Sequence, residues 1–258
     1  MSQVHPSAAQ GFASAAEAYA RGRPGYPAAL SGWLAGALGL RAGATCVDLG
    51  AGTGKFTRML LATGAEVLAV EPVAEMRGRL VADLPAVRAL DGTAEALPLA
   101  DRSADAVLCA QAFHWFANER ALEEIHRVLK PGGRLGLVWN VRDESVDWVA
   151  GLTGLFTPYE GGSPRYRSGQ WRLPFDGRLF SALEETVFPF EHVGSPEQVI
   201  VDRSLSVSFI AALPADERDR VEARLRALVD GHPDLRGRET VAFPYRTHAY
   251  WCTRMELS

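Results

Sequence analysis

Cysteine is scarce in this sequence, with three among 258 residues. Cys46, Cys109 and Cys252 lie far apart, and none has the CxxC or Cys/His spacing of a metal or redox motif. Two of them fall inside apolar runs, where a free thiol packs as a small hydrophobic side chain. We therefore expect buried, reduced cysteines, and we predict no metal site.

Long hydrophobic runs are also missing. No uninterrupted apolar stretch approaches the ~18 residues that a membrane-spanning helix needs. The first 20 residues show neither the charged start nor the apolar block of a secretory signal. The expectation is a soluble, cytoplasmic protein without a membrane partner.

Positive charge is not in excess, because 27 Lys and Arg residues stand against 31 Asp and Glu residues, for a net charge of -4. Nucleic-acid binding requires a dense positive surface that displaces counterions, so we expect no nucleic-acid partner. Arginine is nevertheless abundant locally, which is compatible with a small anionic ligand. The sequence does not indicate an oligomeric state.

Residues 44–140 alternate short apolar runs with helical patterns, as βαβ units around a parallel sheet do. A Lys-Pro-Gly-Gly turn at Lys130 is expected to stop the last of these helices and reverse the chain. The predicted strands are Thr45–Leu49, Glu66–Val70, Ala86–Leu90, Ala104–Ala110 and Arg134–Trp139, and the predicted helices are Lys55–Thr63, residues 73–83 and Glu119–Leu129.

The flanking segments differ from this core. Residues 1–43 predict an N-terminal helical segment with a helix over Ala28–Leu40. Residues 141–182, rich in Gly, Pro and aromatics, are interpreted as an insertion or cap within a single domain. Residues 183–258 are expected to complete the sheet, with a strand at Glu185–His192, a helix at Asp216–Asp230 and one or two strands in Thr240–Arg254.

A glycine loop, Asp48–Gly54, begins at the end of the first predicted strand and opens a helix. Glycines let the backbone approach a ligand closely, and a helix start offers free N–H groups. The G-x-G-x-G spacing differs from the G-x-G-x-x-G of dinucleotide enzymes, and Phe56 after Gly-Lys excludes a P-loop. Glu71 at the tip of the second strand, about 20 residues on, is expected to accept hydrogen bonds from ribose hydroxyls.

From these features, Asp48–Asn140 resembles the methyltransferase type 11 domain of the class I S-adenosylmethionine-dependent methyltransferases. The wider chain is similar to the trans-aconitate methyltransferase-like subgroup. The resemblance implies an α/β, Rossmann-like fold with a seven-stranded, mostly parallel sheet, helices on both faces, N-terminal helices and a cap after the fifth strand. Four further segments carry the likeness: Tyr19–Pro27, Gly92–Pro98, Ala110–Phe116 and Leu129–Gly133.

The same resemblance implies S-adenosylmethionine as cofactor and S-adenosylhomocysteine as product. Arg23 becomes a candidate partner for the cofactor's carboxylate, and Asp48 would orient the loop amides and the cofactor's amino group. Thr93 stands where many relatives place Asp, which leaves contact with the adenine to the Ala94 backbone. The implied cofactor-binding residues are Tyr19, Arg23, Asp48, Gly50, Ala51, Gly52, Gly54, Glu71, Pro72, Thr93, Ala94, Glu95, Ala110 and Gln111.

His114 follows the fourth strand at the carboxyl edge of the sheet, where open α/β folds bind ligands. It is either a general base or part of an aromatic pocket wall. In the cap, arginines could hold a carboxylate or phosphate, although a solvated loop explains the same residues. The candidate acceptor-binding residues are Trp115, Trp139, Asn140, Arg165, Tyr166 and Trp171.

The predicted function is methyl transfer to a small-molecule acceptor, with O-methylation of a carboxylate or hydroxyl favoured by family analogy. In-line transfer requires alignment and exclusion of water, and a carboxylate needs no base. The alternatives are N- or C-methylation, or a regulatory or assembly protein that binds S-adenosylmethionine without transferring the methyl group.

Overall fold

The structure is a computed structural model, and it describes residues 23–161 and 164–257. Tyr19, a predicted cofactor residue, lies outside the described residues. The strands are β1 Thr45–Leu49, β2 Glu66–Val70, β3 Arg88–Leu90, β4 Ala104–Ala110, β5 Leu129–Arg142, β6 Glu184–Gly194 and β7 Val241–Thr253. The α-helices are α1 Leu30–Gly36, α2 Thr57–Leu61, α3 Ala74–Asp83, α4 Glu119–Val128, α5 Asp147–Phe156, α6 Arg203–Leu205, α7 Ser208–Ala211 and α8 Ala215–Gly231.

The seven strands form one sheet in the order β3-β2-β1-β4-β5-β7-β6. The first five are parallel, and β7 runs antiparallel to both β5 and β6. The strand order reverses direction between β1 and β4, which is the switch point where α/β sheets of this kind bind ligands. The prediction of a Rossmann-like, seven-stranded and mostly parallel sheet is confirmed.

Several predicted boundaries were wrong, the fifth strand most of all. β5 runs from Leu129 to Arg142 rather than from Arg134 to Trp139. Leu129 pairs with Ala104 of β4, and after a register shift Arg134 to Val138 pair with Ala106 to Ala110, while Arg134 to Arg142 pair with β7. The Lys-Pro-Gly-Gly stretch is the irregularity between the two paired parts of the strand. The helices α1 and α2 are also shorter than predicted, whereas the final segment is one strand, in agreement with the one or two predicted there.

The sheet buries side chains on both faces, because successive residues of β4 belong alternately to two hydrophobic clusters. Val107 and Cys109 of β4 lie in one hydrophobic cluster with α4, whereas Ala106 and Leu108 lie in another with α1 and α2. Because successive side chains of a strand point to opposite faces, the two clusters are the two sides of the sheet. The three cysteines are free and buried, as predicted.

A third hydrophobic cluster covers the start of β7. It joins α5 to α8, to a π-helix at Glu197–Asp202 and to the start of β7. The covering layer is therefore built both from residues after β5 and from the connection between β6 and β7. No helix in the two described stretches is long and apolar enough to cross a membrane.

Candidate active site

The glycine loop lies at the carboxyl end of β1. Gly50, Gly52 and Gly54 all have positive φ, at 72°, 58° and 82°. A Cβ on Gly50 would lie 2.7 Å from the Ala112 Cβ, whereas the space beside Gly52 is open up to Met76 Sδ at 3.9 Å. Gly50 is therefore required by packing, while Gly52 leaves room for a ligand beside the backbone.

Asp48 is the last polar side chain of β1 and is 1% exposed. Its Oδ2 accepts a hydrogen bond of 2.6 Å from Thr57 Oγ1, whereas its buried Oδ1 has no partner among the described residues. The pKa of Asp48 is raised to about 7, mainly by burial, with the Thr57 hydrogen bond lowering it and the charge of Glu71 raising it. This orphaned oxygen fits a ligand that donates a hydrogen bond, such as the cofactor's amino group.

Glu71 directly follows β2 and is 5% exposed. Gly52 N donates to its Oε2 and Val73 N donates to its Oε1, both at 2.9 Å. Burial raises the pKa of Glu71, against these two hydrogen bonds and the nearby Arg77 guanidinium. Each carboxylate oxygen keeps a lone pair, so the geometry is compatible with the predicted ribose contact and also ties the glycine loop to β2.

A cofactor cavity opens above this loop. It brings together seven of the residues predicted from sequence, and Asn140, predicted for the acceptor, also reaches it. Gly54 instead packs against Leu80 and Leu84, and Ala94 is buried in the core. The lining residues are Arg23, Pro24, Tyr26, Asp48, Gly50, Ala51, Gly52, Thr53, Lys55, Phe56, Ala110, Gln111, Asn140 and Arg203.

The remaining predicted cofactor residues do not line this cavity. Pro72 and Thr93 follow the ends of β2 and β3, and Glu95 accepts a hydrogen bond of 3.0 Å from Asn118 Nδ2. Their role toward an adenine ring stays a prediction.

Gln111 holds the junction between this cavity and a second one. It is a non-glycine residue with φ of 58°, an uncommon conformation that is often found at functional sites. Gln111 N donates to Val138 O at 2.8 Å, and Asn140 is fixed in turn by Thr247 Oγ1 at 2.7 Å. β5 and its neighbour β7 therefore position these two residues at the carboxyl edge of the sheet.

The second cavity, here called the acceptor cavity, adjoins the first through Arg23, Gln111, Asn140 and Arg203. All the predicted acceptor residues line it except Trp171, which is 2% exposed and packs behind Trp139 with ring centroids 4.6 Å apart. Its other lining residues are His114, Trp115, Trp139, Val141, Arg142, Glu144, Glu160, Pro164, Arg165, Tyr166, Arg167, Val207, Ser208 and Phe209.

His114 is held in one tautomer. Trp139 Nε1 donates a hydrogen bond of 3.1 Å to His114 Nδ1, which leaves the proton of the neutral ring on Nε2. Burial, together with the charges of Arg165 and Arg23, lowers the pKa of His114 to about 3. The ring is therefore neutral at physiological pH, and Nε2 is a donor.

The acceptor cavity is rich in arginine. Two of its cations are matched by acids, since Arg167 pairs with Glu144 at 2.9 Å and Arg165 with Glu160 at 3.5 Å. Arg142 lies over the Phe156 ring, and burial lowers its pKa to about 9, with a further contribution from Arg203. The sequence analysis missed Arg142 because β5 was ended too early.

Asp147, His232 and Asp234 form a separate cluster whose ligand atoms lie within 4.8 Å of one another, and no metal was predicted there. Asp234 N donates to His232 Nδ1 at 3.2 Å, and His232 Nε2 lies 3.3 Å from Asp147 Oδ1. With Nδ1 accepting, Nε2 carries the proton and faces the Asp147 carboxylate, so internal hydrogen bonds account for the His232–Asp147 pair.

Comparison with known proteins agrees with this geometry. A family model described as a methyltransferase domain matches residues 47–137. An uncharacterized methyltransferase-like protein of Schizosaccharomyces pombe is 40% identical over 79% of this chain and 80% of its own. An uncharacterized methyltransferase of Mycobacterium tuberculosis is 43% identical over 82% of this chain and 83% of its own. The chain belongs to the methyltransferase family.

A solved structure shows the same fold at lower identity. The YcgJ protein of Bacillus subtilis is 22% identical and superimposes with a TM-score of 0.57 over 88% of this chain and 98% of its own. The methyltransferase uses S-adenosylmethionine as its cofactor, as predicted. The trans-aconitate methyltransferase-like subgroup stays a prediction.

Proposed function

We propose that this methyltransferase transfers a methyl group to a carboxylate oxygen of a small anionic acceptor. The observation that carries the proposal is the combination of a neutral, hydrogen-bond-donating His114 with an arginine-rich cavity. Such a cavity favours an acceptor that arrives already ionised, because arginine binds carboxylates strongly.

The lack of a free base supports a carboxylate over a hydroxyl. Of the described residues in the acceptor cavity, Glu144 and Glu160 are held by arginines, and His114 has its unprotonated nitrogen occupied by Trp139. A hydroxyl acceptor would have to lose a proton to such a base, whereas a carboxylate is ionised in solution. This favours the pocket-wall interpretation of His114 over the general base.

The two cavities would align the two reactants, one by binding the cofactor and the other by binding the acceptor. The glycine loop, Asp48 and Glu71 would hold the cofactor, which when bound supplies the methyl group as a sulfonium, so that its C–S bond breaks as the C–O bond forms and sulfur keeps the electron pair. Gln111 and Asn140 line both cavities and would fix the approach of the acceptor. The aromatic wall would exclude water, which strengthens the arginine contacts.

The experiment is a screen for S-adenosylhomocysteine release with aliphatic and aromatic monocarboxylates, each tested beside its primary amide and its alcohol. We expect release with one or more acids and none with the matching neutral compounds, and the product should be a methyl ester by mass spectrometry. Release with alcohols but not with acids would contradict the proposal.

A further inference from the structure

Arg203 is a buried cation with donors that are not used. It is 8% exposed, and neither its Nε nor its Nη1 has a hydrogen-bond partner among the described residues. Its side chain lines both the cofactor cavity and the acceptor cavity. A buried guanidinium without a partner is unfavourable, so this arrangement indicates a ligand that supplies the missing acceptor atoms.

The charges around Arg203 are mostly of its own sign. Its charge lowers the pKa values of Lys55, Arg142 and His192, in each case after the larger effect of burial. The acids of the acceptor cavity, Glu144 and Glu160, are paired with other arginines. The local field therefore favours an anion, and a carboxylate matches the planar donors of a guanidinium.

The backbone around Arg203 is fixed, although its side chain is unpartnered. The π-helix Glu197–Asp202 ends immediately before it, and π-helical turns are frequent at functional sites. Ser206 Oγ donates to Arg203 O at 2.7 Å, and Val207 N donates to Ser204 O at 3.1 Å. These hydrogen bonds close the turn from which the Arg203 side chain extends to line both cavities.

The surroundings favour the acceptor as the source of the anion. Val207, Ser208 and Phe209, which follow Arg203 in the chain, line the acceptor cavity and not the cofactor cavity, and the same is true of Arg142. On the cofactor side, Arg23 and Lys55 also line the cavity, and Arg23 is the residue predicted to pair with the cofactor's own carboxylate.

We propose that Arg203 binds the anionic group of the acceptor and thereby determines specificity for acids over neutral compounds. The inference rests on the proposed function for the identity of the acceptor. Arg203 was not a candidate in the sequence analysis, because nothing in the local sequence separates it from the other arginines.

The test measures binding without methyl transfer. With S-adenosylhomocysteine saturating, the same monocarboxylates and their amides are titrated while tryptophan fluorescence is followed, since Trp115 and Trp139 line the cavity. The variants are Arg203→Gln and Arg203→Lys. The control is Arg226→Gln, which removes an exposed arginine that pairs with Glu197 and Glu222 outside both cavities. S-adenosylhomocysteine affinity is measured separately by calorimetry.

For Arg203→Gln we expect carboxylate affinity to fall roughly 10- to 100-fold, as for loss of a charged hydrogen bond. Arg203→Lys should recover part of that loss. S-adenosylhomocysteine affinity should change less than about threefold, and Arg226→Gln should bind like the wild type. Thermal melting checks that each variant folds, and Arg203→Lys, which keeps the charge, carries the test if Arg203→Gln does not fold.

Two results would overturn the inference. Unchanged carboxylate affinity would show that Arg203 does not contact the acceptor, and a parallel loss of S-adenosylhomocysteine affinity would assign Arg203 to the cofactor's carboxylate. If acids bind in an Arg203-dependent manner but yield no methyl ester with S-adenosylmethionine, the proposed function fails while the inference stands.

Discussion

The indole nitrogen of Trp139 donates a hydrogen bond of 3.1 Å to Nδ1 of His114. This contact joins the end of β5 to the turn after β4 and places the proton of the histidine on Nε2. His114, expected to be either a general base or part of the pocket wall, therefore presents a hydrogen-bond donor to the acceptor cavity. It is not placed to accept a proton from the acceptor.

His114 should not control the pH dependence of the reaction. Because burial lowers its pKa to about 3, the ring stays neutral throughout the range in which the enzyme is assayed. His114→Gln should lower kcat/KM about 10-fold, because the Nε2–H donor is no longer in its position. The pH profile of kcat/KM between pH 6 and 9 should keep its shape.

Trp139→Phe is the companion variant, since it removes the donor to Nδ1 while leaving His114 in place. If the wild-type profile of kcat/KM has an inflection near pH 6.5 that disappears in His114→Gln, His114 acts as a general base and the proposal is contradicted.

Alanine substitutions at Gly50 and Gly52 should have different effects. Gly50→Ala places a Cβ 2.7 Å from Ala112 Cβ, so it should reduce the free energy of unfolding by about 2 kcal/mol or more. Gly52→Ala has open space and should cost about 1 kcal/mol through its positive φ, yet lose S-adenosylhomocysteine affinity.

The control for both glycine variants is Gly237→Ala, which has φ of 71° and nothing within 4 Å of the added Cβ. Urea unfolding and calorimetry measure stability and affinity separately. Unchanged S-adenosylhomocysteine affinity in Gly52→Ala would contradict the assignment of Gly52 to the cofactor site.

Glu71→Gln should weaken cofactor binding. The substituted amide must turn its NH₂ group toward Gly52 N or Val73 N, where two donors would face each other. We expect a loss of about 1–3 kcal/mol in stability and a loss of S-adenosylhomocysteine affinity of roughly tenfold or more. Calorimetric titration checks the affinity, with the exposed Glu66→Gln at the other end of β2 as control. Unchanged heats of binding would contradict the assignment.

Asp48 should make the stability of the cofactor-free protein depend on pH. Its pKa is about 7 in the folded protein and near 3.8 in the unfolded chain. The folded state thus binds the proton more tightly, so this stabilisation is complete below pH 4 and is lost as pH rises through 7.

Asp48→Asn should flatten this part of the profile, which urea unfolding between pH 4 and 8 measures. The exposed Asp219→Asn is the control. An Asp48→Asn variant with the wild-type slope would show that Asp48 does not carry the effect.

The sequence predicted the βαβ core well because local patterns determine it. Thr45–Leu49, Glu66–Val70 and Ala104–Ala110 are strands with the bounds that their apolar runs indicate. The end of β5 was missed because β7, more than 100 residues later, pairs with it as far as Arg142. Such pairing leaves no local signal.

Part of each side of the site was predictable: seven predicted cofactor residues line the cofactor cavity, and five of the six predicted acceptor residues line the acceptor cavity. The glycine loop and Gln111 follow directly from strand ends. Arg203 reaches the cavities through a π-helix packed in a third hydrophobic cluster, and Trp171 turned out to lie behind the wall. The positions of Arg203 and Trp171 depend on tertiary packing, which the spacing of apolar residues in the sequence does not indicate.

The most direct test of base-free carboxylate methylation is the number of protons released for each S-adenosylhomocysteine formed. It is measured with a pH indicator in weak buffer near pH 7.5, using the acceptor found in the screen. Methylation of a carboxylate releases no proton, whereas methylation of a hydroxyl releases one. We predict a ratio close to zero, and a ratio close to one would contradict the account.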